Sequence, residues 1–235
     1  MRCFRLSLVL LGIVTTLTAA AGLASDDLAE VFARLDRAAP GFRGFSAEVR
    51  KVKHSALIPE DDVQTGKIVV RRAKPHELQM RLDIDPPDQQ EAVLDGTKLE
   101  IYYPKSNTIQ PYLLGKTAKP MLEQVLILGW GSTSRDLKSA YDITYGGQET
   151  VAGQKSVRLD LIPKDKDLLA HIPRFELWIS EESATSGIAV QVEIYEKGGN
   201  DYNLATYTNI KLRGVSESEV KLNAPKNAHS EKPIK

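Results

Sequence analysis

The sequence predicts a mainly β protein with a few helices, built as one antiparallel, meandering sheet. Three observations carry that expectation. From Phe45 onward, apolar and polar residues alternate with period two in run after run, as in a strand with one wet face. Gly, Pro, Asn and Asp punctuate those runs at short spacing. Helical patterns do not alternate with the strands, so a parallel sheet built from βαβ units is not expected.

Taken in order, Asp26 to Ala39 reads as an amphipathic helix. Leu28, Val31, Phe32 and Leu35 follow the i, i+3, i+4, i+7 spacing, Asp27 with Glu30 resembles a capping box, and Pro40-Gly41 ends it. Strands follow at Phe45–Val52, Gly66–Arg72 and Leu78–Ile84, the last closed by Pro86-Pro87. Residues 91–115, EAVLDGTKLEIYYPKSNTIQPYLLG, read as a ribbon of two or three strands. Asp95-Gly96 between apolar runs is a hairpin turn, and a second turn falls at Pro104–Asn107. Residues 119–128 break the period: Pro120 opens a short helix whose apolar stripe includes Leu122, Val125 and Leu126, and Gly129 stops it. Another short helix is expected around Arg135–Ser139. Strands resume at Tyr141–Tyr145, Ser156–Ile162, Arg174–Ile179, Ile188–Tyr195 and Tyr202–Leu212, with turns at Gly146-Gly147, Ala152-Gly153 and Gly198–Asp201. The polar tail from Pro225 is expected to be disordered.

The first 24 residues read as a secretory signal peptide. Arg2 and Arg5 form a positive start, Leu6–Leu17 an apolar core, and Ala19–Ala24 the small residues for cleavage after Ala21 or Ala24. The apolar core is shorter than the roughly 20 residues a membrane-spanning helix needs. Cleavage removes Cys3, the single cysteine of the 235 residues, and with it any disulfide, thiolate nucleophile or cysteine metal site. Cys3 precedes the apolar core, so it is not a lipid-attachment residue. The mature chain, residues 25–224 plus the tail, reads as one soluble domain. Its near balance of acidic and basic residues argues against nucleic-acid binding.

Catalytic patterns are absent. His54, His76, His171 and His229 stand apart from one another and outside any zinc-binding spacing, and no Gly-x-Ser-x-Gly elbow occurs. Gly129-Trp130-Gly131-Ser132 lacks the strand and third glycine of a phosphate loop. Asp83 and Asp85 share a strand face but sit at its solvated end. No enzyme activity and no cofactor are therefore expected. What remains is apolar surface. Val93, Leu99, Ile101 and Tyr103, then Leu78, Met80 and Leu82, then Phe175, Leu177 and Ile179, then Val190, Val192 and Ile194 are expected to point inward. They either fill a core or line a cavity left by a strongly curved sheet.

In order, these pieces resemble the LolA family of periplasmic outer-membrane lipoprotein carriers over nearly all of the mature chain. The resemblance is carried by the helix ending Arg34-Leu35-Asp36-Arg37, the first strand at Phe45, Lys74-Pro75, Pro87-Asp88, Asp95-Gly96-Thr97-Lys98-Leu99 with Tyr102-Tyr103-Pro104, and the closing Val220–Pro225. It implies an unclosed β-barrel around an apolar cavity under a helical lid. It also implies a carrier, with no chemical step, that takes acylated lipoproteins from an inner-membrane ABC transporter to an outer-membrane acceptor. Such a carrier is expected to be periplasmic and monomeric. By position, Leu78 and Met80 fall where the family has inward aromatic residues, and Leu35 falls on a lid contact. Leu82, Leu99, Ile101, Tyr103, Leu122, Leu126, Phe175, Leu177, Val190 and Val192 complete the expected lipid-binding lining. The family's lid-latching arginine is Lys74 here, with Arg71 and Arg72 just upstream as substitutes. The alternative reading is a periplasmic sensor or regulator of the same fold that binds protein partners.

Overall fold

The structure is a computed structural model that describes residues 20–74, 77–113, 128–198 and 200–234. Most of the expected leader, and the expected helix holding Leu122 and Leu126, lie outside the described residues. Among the described residues, no helix is long and apolar enough to cross a membrane.

One helix, α1 (Ala20–Ala38), and a 3-10 turn (Ala39–Gly41) precede the first six strands: β1 (Gly44–His54), β2 (Asp62–Lys74), β3 (Glu77–Ile84), β4 (Gln90–Asp95), β5 (Lys98–Tyr103) and β6 (Thr108–Leu113). Helix α2 (Ser134–Ala140) leads into β7 (Tyr141–Val151) and β8 (Gln154–Pro163). Helix α3 (Lys166–His171) then leads into β9 (Arg174–Ser180), β10 (Ala189–Tyr195) and β11 (Tyr202–Leu212). A 3-10 turn (Glu217–Val220) and β12 (His229–Ser230) close the chain. All twelve strands join one sheet in the order β12-β6-β5-β4-β3-β2-β1-β11-β10-β9-β8-β7. Its two ends do not meet, so the expected unclosed barrel is the one present.

Register decides which side chains face inward, because directly paired residues share a face. Across β1–β5, Phe45, Val70, Met80, Leu94 and Leu99 stand in one row. Val93, expected inward, stands in the opposite row with Arg81 and Glu100. Two adjacent apolar residues leave alternation without a phase, and the pairing chose Leu94. On the other side, Leu159, Leu177, Val192 and Ala205 form a second inward row.

A register shift between Ala189 and Gln191 inserts an extra residue into β10. Val190 is thereby turned outward, where it packs with Val151 and Trp178 in a separate small cluster. The expected turn at Gly146-Gly147 is likewise a bulge inside β7, with the register shifting between Tyr145 and Gly147. A side chain at Gly146 would collide with Arg158 across the strand pair, so the bulge leaves no room there.

Helix α1 starts earlier than its expected cap, so Asp27 and Glu30 lie inside it, and Glu30 accepts from Arg34 one turn on at 3.2 Å. Its apolar face, Val31, Phe32 and Leu35, is buried with Leu137 of α2 and Leu168 of α3 in the main core. Helix α2 has a full capping box: Thr133 Oγ1 accepts from the Asp136 N–H, and the Asp136 carboxylate accepts from the Thr133 N–H at 2.9 Å. Helix α3, too short to show a period in sequence, is marked by Asp165, which accepts from Leu168 N at 2.8 Å.

Residues 225–234 of the tail run along the edge of the sheet. Strand β12 pairs in parallel with β6, and Ile234 bridges Tyr112. The side chains of Asn107 and Gln110 add hydrogen bonds to the carbonyls of Asn227 and Lys232, each at 3.1 Å.

Candidate functional site: an apolar cavity with a polar mouth

The concave face is filled over part of the sheet and hollow over the rest. Helices α1 and α2 pack against β7, and α3 packs against β8. Beneath them Leu159, Leu161, Phe175 and Leu177 are completely buried. Where β1, β2, β3, β10 and β11 face the loop at residues 128–130, a cavity of about 410 Å³ remains.

Its apolar lining includes Met80, Leu128, Trp130, Val192, Ile194, Ala205 and Tyr207. Trp130 stands edge-on to both Phe45 and Tyr207, with ring centroids 5.2 Å apart in each case. Its indole N–H donates to the Ala189 carbonyl at 3.2 Å, so the ring is fixed from both ends. Burial pushes the Tyr207 hydroxyl well above the usual phenol range, so it stays neutral. Lys51, Lys53, Asp62, Gln64 and Asn203 contribute the polar lining. Lys51 is paired across the sheet with Gln64, and Lys53 with Asp62. Burial lowers the Lys51 ammonium below the usual lysine range, and Asp62 partly offsets this.

Of the expected lining, Met80 and Val192 reach the cavity. Leu35, Leu78, Phe175 and Leu177 are buried in the filled core instead, and Leu82 packs against its edge. That core also takes in Val31 and Phe32 of α1, Leu137 of α2 and Leu168 of α3. Leu99, Ile101 and Tyr103 share the inward face of β5 but are half-buried and lie beyond the cavity wall. Val190 faces the other way. Sequence reading missed Lys51, Trp130, Ala205 and Tyr207. Lys51 carries a faint signal, since it continues the inward row Phe45, Ala47, Val49.

Among the three latch candidates, Arg72 contacts the helical layer. Its guanidinium donates to the carbonyls of Ala39, at 3.0 Å, and of Gly131, and stands 5.2 Å from the centre of the Phe42 ring. Arg71 points to the opposite face and donates to Gln79 at 2.6 Å. Lys74 is largely exposed and pairs with Glu77. Alternation explains the choice: Arg72 shares the inward row of Val70 and Ile68, and Arg71 does not. Two further contacts hold α1. Arg34 pairs with Glu181 beyond β9 at 3.1 Å, and Asp36 accepts from both the N–H and the hydroxyl of Ser134 at 2.7 Å.

Among the described residues, no cluster of three or more His, Cys, Asp or Glu is arranged to hold a metal ion. His54 pairs with Asp61 at 2.7 Å and stacks on Tyr202. Asp83 pairs with Arg81, and Asp85 accepts from Thr65. These are structural pairs at strand ends.

No family model matches the chain, and no curated protein matches it. Solved structures do. MucB is 19% identical, with a TM-score of 0.50 over 87% of this chain and 64% of MucB, so the chain spans just under two thirds of that protein's length. An uncharacterized conserved protein from Thermus thermophilus is 13% identical, with a TM-score of 0.51 over 87% of this chain and 98% of that one. A LolA superfamily protein from Nitrosomonas europaea is 12% identical, with a TM-score of 0.41 over 83% and 97% of the two chains. These likenesses concern the fold.

Proposed function

We propose that the protein is a periplasmic carrier that holds an acyl chain of a lipoprotein in the cavity and releases it unchanged. The observation that supports this is the apolar hollow of about 410 Å³. Ligand pockets span roughly 300–1,000 Å³, and a well-packed core contains few voids of this size. The energetics require such a shelter. At about 0.8 kcal/mol per methylene, an acyl chain of about 15 methylenes costs on the order of 12 kcal/mol in water. In this reading the donor is an inner-membrane ABC transporter, the recipient is an outer-membrane acceptor, and the carrier works as a monomer without a cofactor. Native mass spectrometry of the exported protein tests it. Uptake of an acylated peptide, one chain per protein, is the expected result. A protein that takes up neither acylated peptide nor fatty acid would sink the reading.

A second reading, a sensor or regulator that binds protein partners, is favoured by one feature. Leu57 and Ile58, on the loop between β1 and β2, are 92% and 59% exposed. It predicts saturable, lipid-independent binding to the periplasmic domain of a membrane protein.

A further inference from the structure

We propose that the cavity prefers a single acyl chain whose head carries an anionic group, a carboxylate or a phosphate, and that Lys51 is the residue facing that group. The inference rests on the acyl-chain reading above and adds the chemistry of the ligand's polar end.

The argument starts from where the charge sits. Lys51 is the half-buried cation of the cavity wall, one step along the inward row of β1 from Val49, which is buried. Lys53 follows one step further out. Against these two ammonium groups the described lining residues offer one carboxylate, Asp62, whose direct partner in the sheet is Lys53. Asp62 is also the only charged group among the described residues that supports Lys51 electrostatically. Among the described residues the lining therefore carries an excess positive charge beside an apolar wall, and a half-buried ammonium gains most from an anion brought to it in a water-poor site. A purely neutral ligand would leave that desolvation uncompensated. The volume, near the lower end of ligand pockets, suits one chain rather than several.

Calorimetric titration of the full mature chain decides the matter, using palmitate, palmitoyl lysophosphatidate and methyl palmitate below their micellar concentrations. At least one anionic ligand should bind about tenfold or more tightly than methyl palmitate. Preference for palmitate alone assigns a carboxylate, and preference for lysophosphatidate alone a phosphate. Lys51→Met should bring the anionic ligands to the level of methyl palmitate. Equal binding of all three by the wild type, or a preference that survives Lys51→Met, overturns the proposal. Should the variant lose methyl palmitate as well, wild-type titrations at high salt decide. Weakening confined to the anionic ligands supports the role of charge, and its absence overturns it. If the wild type binds none of the three, the charge assignment is overturned, and the acyl-chain reading fails with it only if acylated peptide is not taken up either. If it binds all three alike, only the charge assignment fails.

Discussion

Arg72 of β2 donates to the carbonyl of Ala39, at 3.0 Å, in the turn that ends α1. The same guanidinium reaches the carbonyl of Gly131, so one side chain ties the sheet to the helical layer and to the loop that walls the cavity. Arg72→Ala should lower stability by about 2–3 kcal/mol, since it removes two charge-assisted bonds and leaves carbonyls unpaired. Arg72→Lys keeps the charge but not the fork and should cost about 1–2 kcal/mol. Urea unfolding measures both, and two near-neutral variants would show that Arg72 is no latch.

Gly131 lies behind that contact with φ of +75°, and a Cβ there would meet the Arg72 guanidinium and come within 2.7 Å of the Phe42 ring. Gly131→Ala should cost about 2–3 kcal/mol through strain and displacement of Arg72. Its effect should not add to that of Arg72→Ala, because both remove the same contact. Full additivity in a double-mutant cycle would contradict the coupling.

Acid should loosen α1 through Asp36. The Ser134 N–H holds its carboxyl below the usual aspartate range, assisted by the Ser134 hydroxyl, Lys138 and Arg135, while partial desolvation acts the other way. A lowered folded value means the contribution is fully present above the ordinary aspartate range and is lost as pH falls through the folded value. Asp36→Asn should therefore flatten the acid limb of a stability-versus-pH curve while leaving its shape at neutral pH. Because Asp36 is exposed, the effect should be small; an unchanged acid limb would remove Asp36 from the account.

Leu78 and Met80 neighbour each other on the inward face of β3 but do different work. Leu78 is 6% exposed in the filled core, and Met80 lines the cavity. Leu78→Asp should cost about 3 kcal/mol or more in stability. Met80→Asp should cost less and abolish fatty-acid uptake. Ala205→Phe, which fills the hollow, should block uptake in a protein that still folds. If Ala205→Phe binds lipid normally, the ligand site is elsewhere.

The chain's two tryptophans report separately. Trp130 lines the cavity, whereas Trp178 lies in the outward cluster and donates to Glu149 at 2.7 Å. Ligand binding should change intrinsic fluorescence in wild type and in Trp178→Phe, and leave Trp130→Phe silent. A response carried by Trp178 would place the ligand on the wrong face.

Much of the architecture was legible because polar and apolar residues alternate cleanly through β1, β3, β8 and β9. Phase failed where alternation was broken. Val93-Leu94 offered two equal choices, and the bulge at Ala189–Gln191 moved Val190 to the other face. The division between filled core and hollow was not legible, because it depends on where three helices come to rest. Lys51 escaped for another reason: a lysine in an alternating strand reads as solvent-facing, and only the placement of β11 and the 128–130 loop half-buries it.

The order of strands also governs how the protein folds. Each pairing joins strands adjacent in sequence, apart from β1 with β11 and the terminal β12 with β6. Residues 44–113 and 141–212 are thus two local meanders that can zip independently, joined by one long-range seam from Phe45–Leu212 to His54–Tyr202. Closing that seam pays the loop entropy of most of the chain and should set the folding rate. Met80 and Gln64 come from one meander, and Val192 and Ile194 from the other, so the hollow exists only after the seam has closed. A chain bound there would act as a staple across the seam, holding shut the last step of folding.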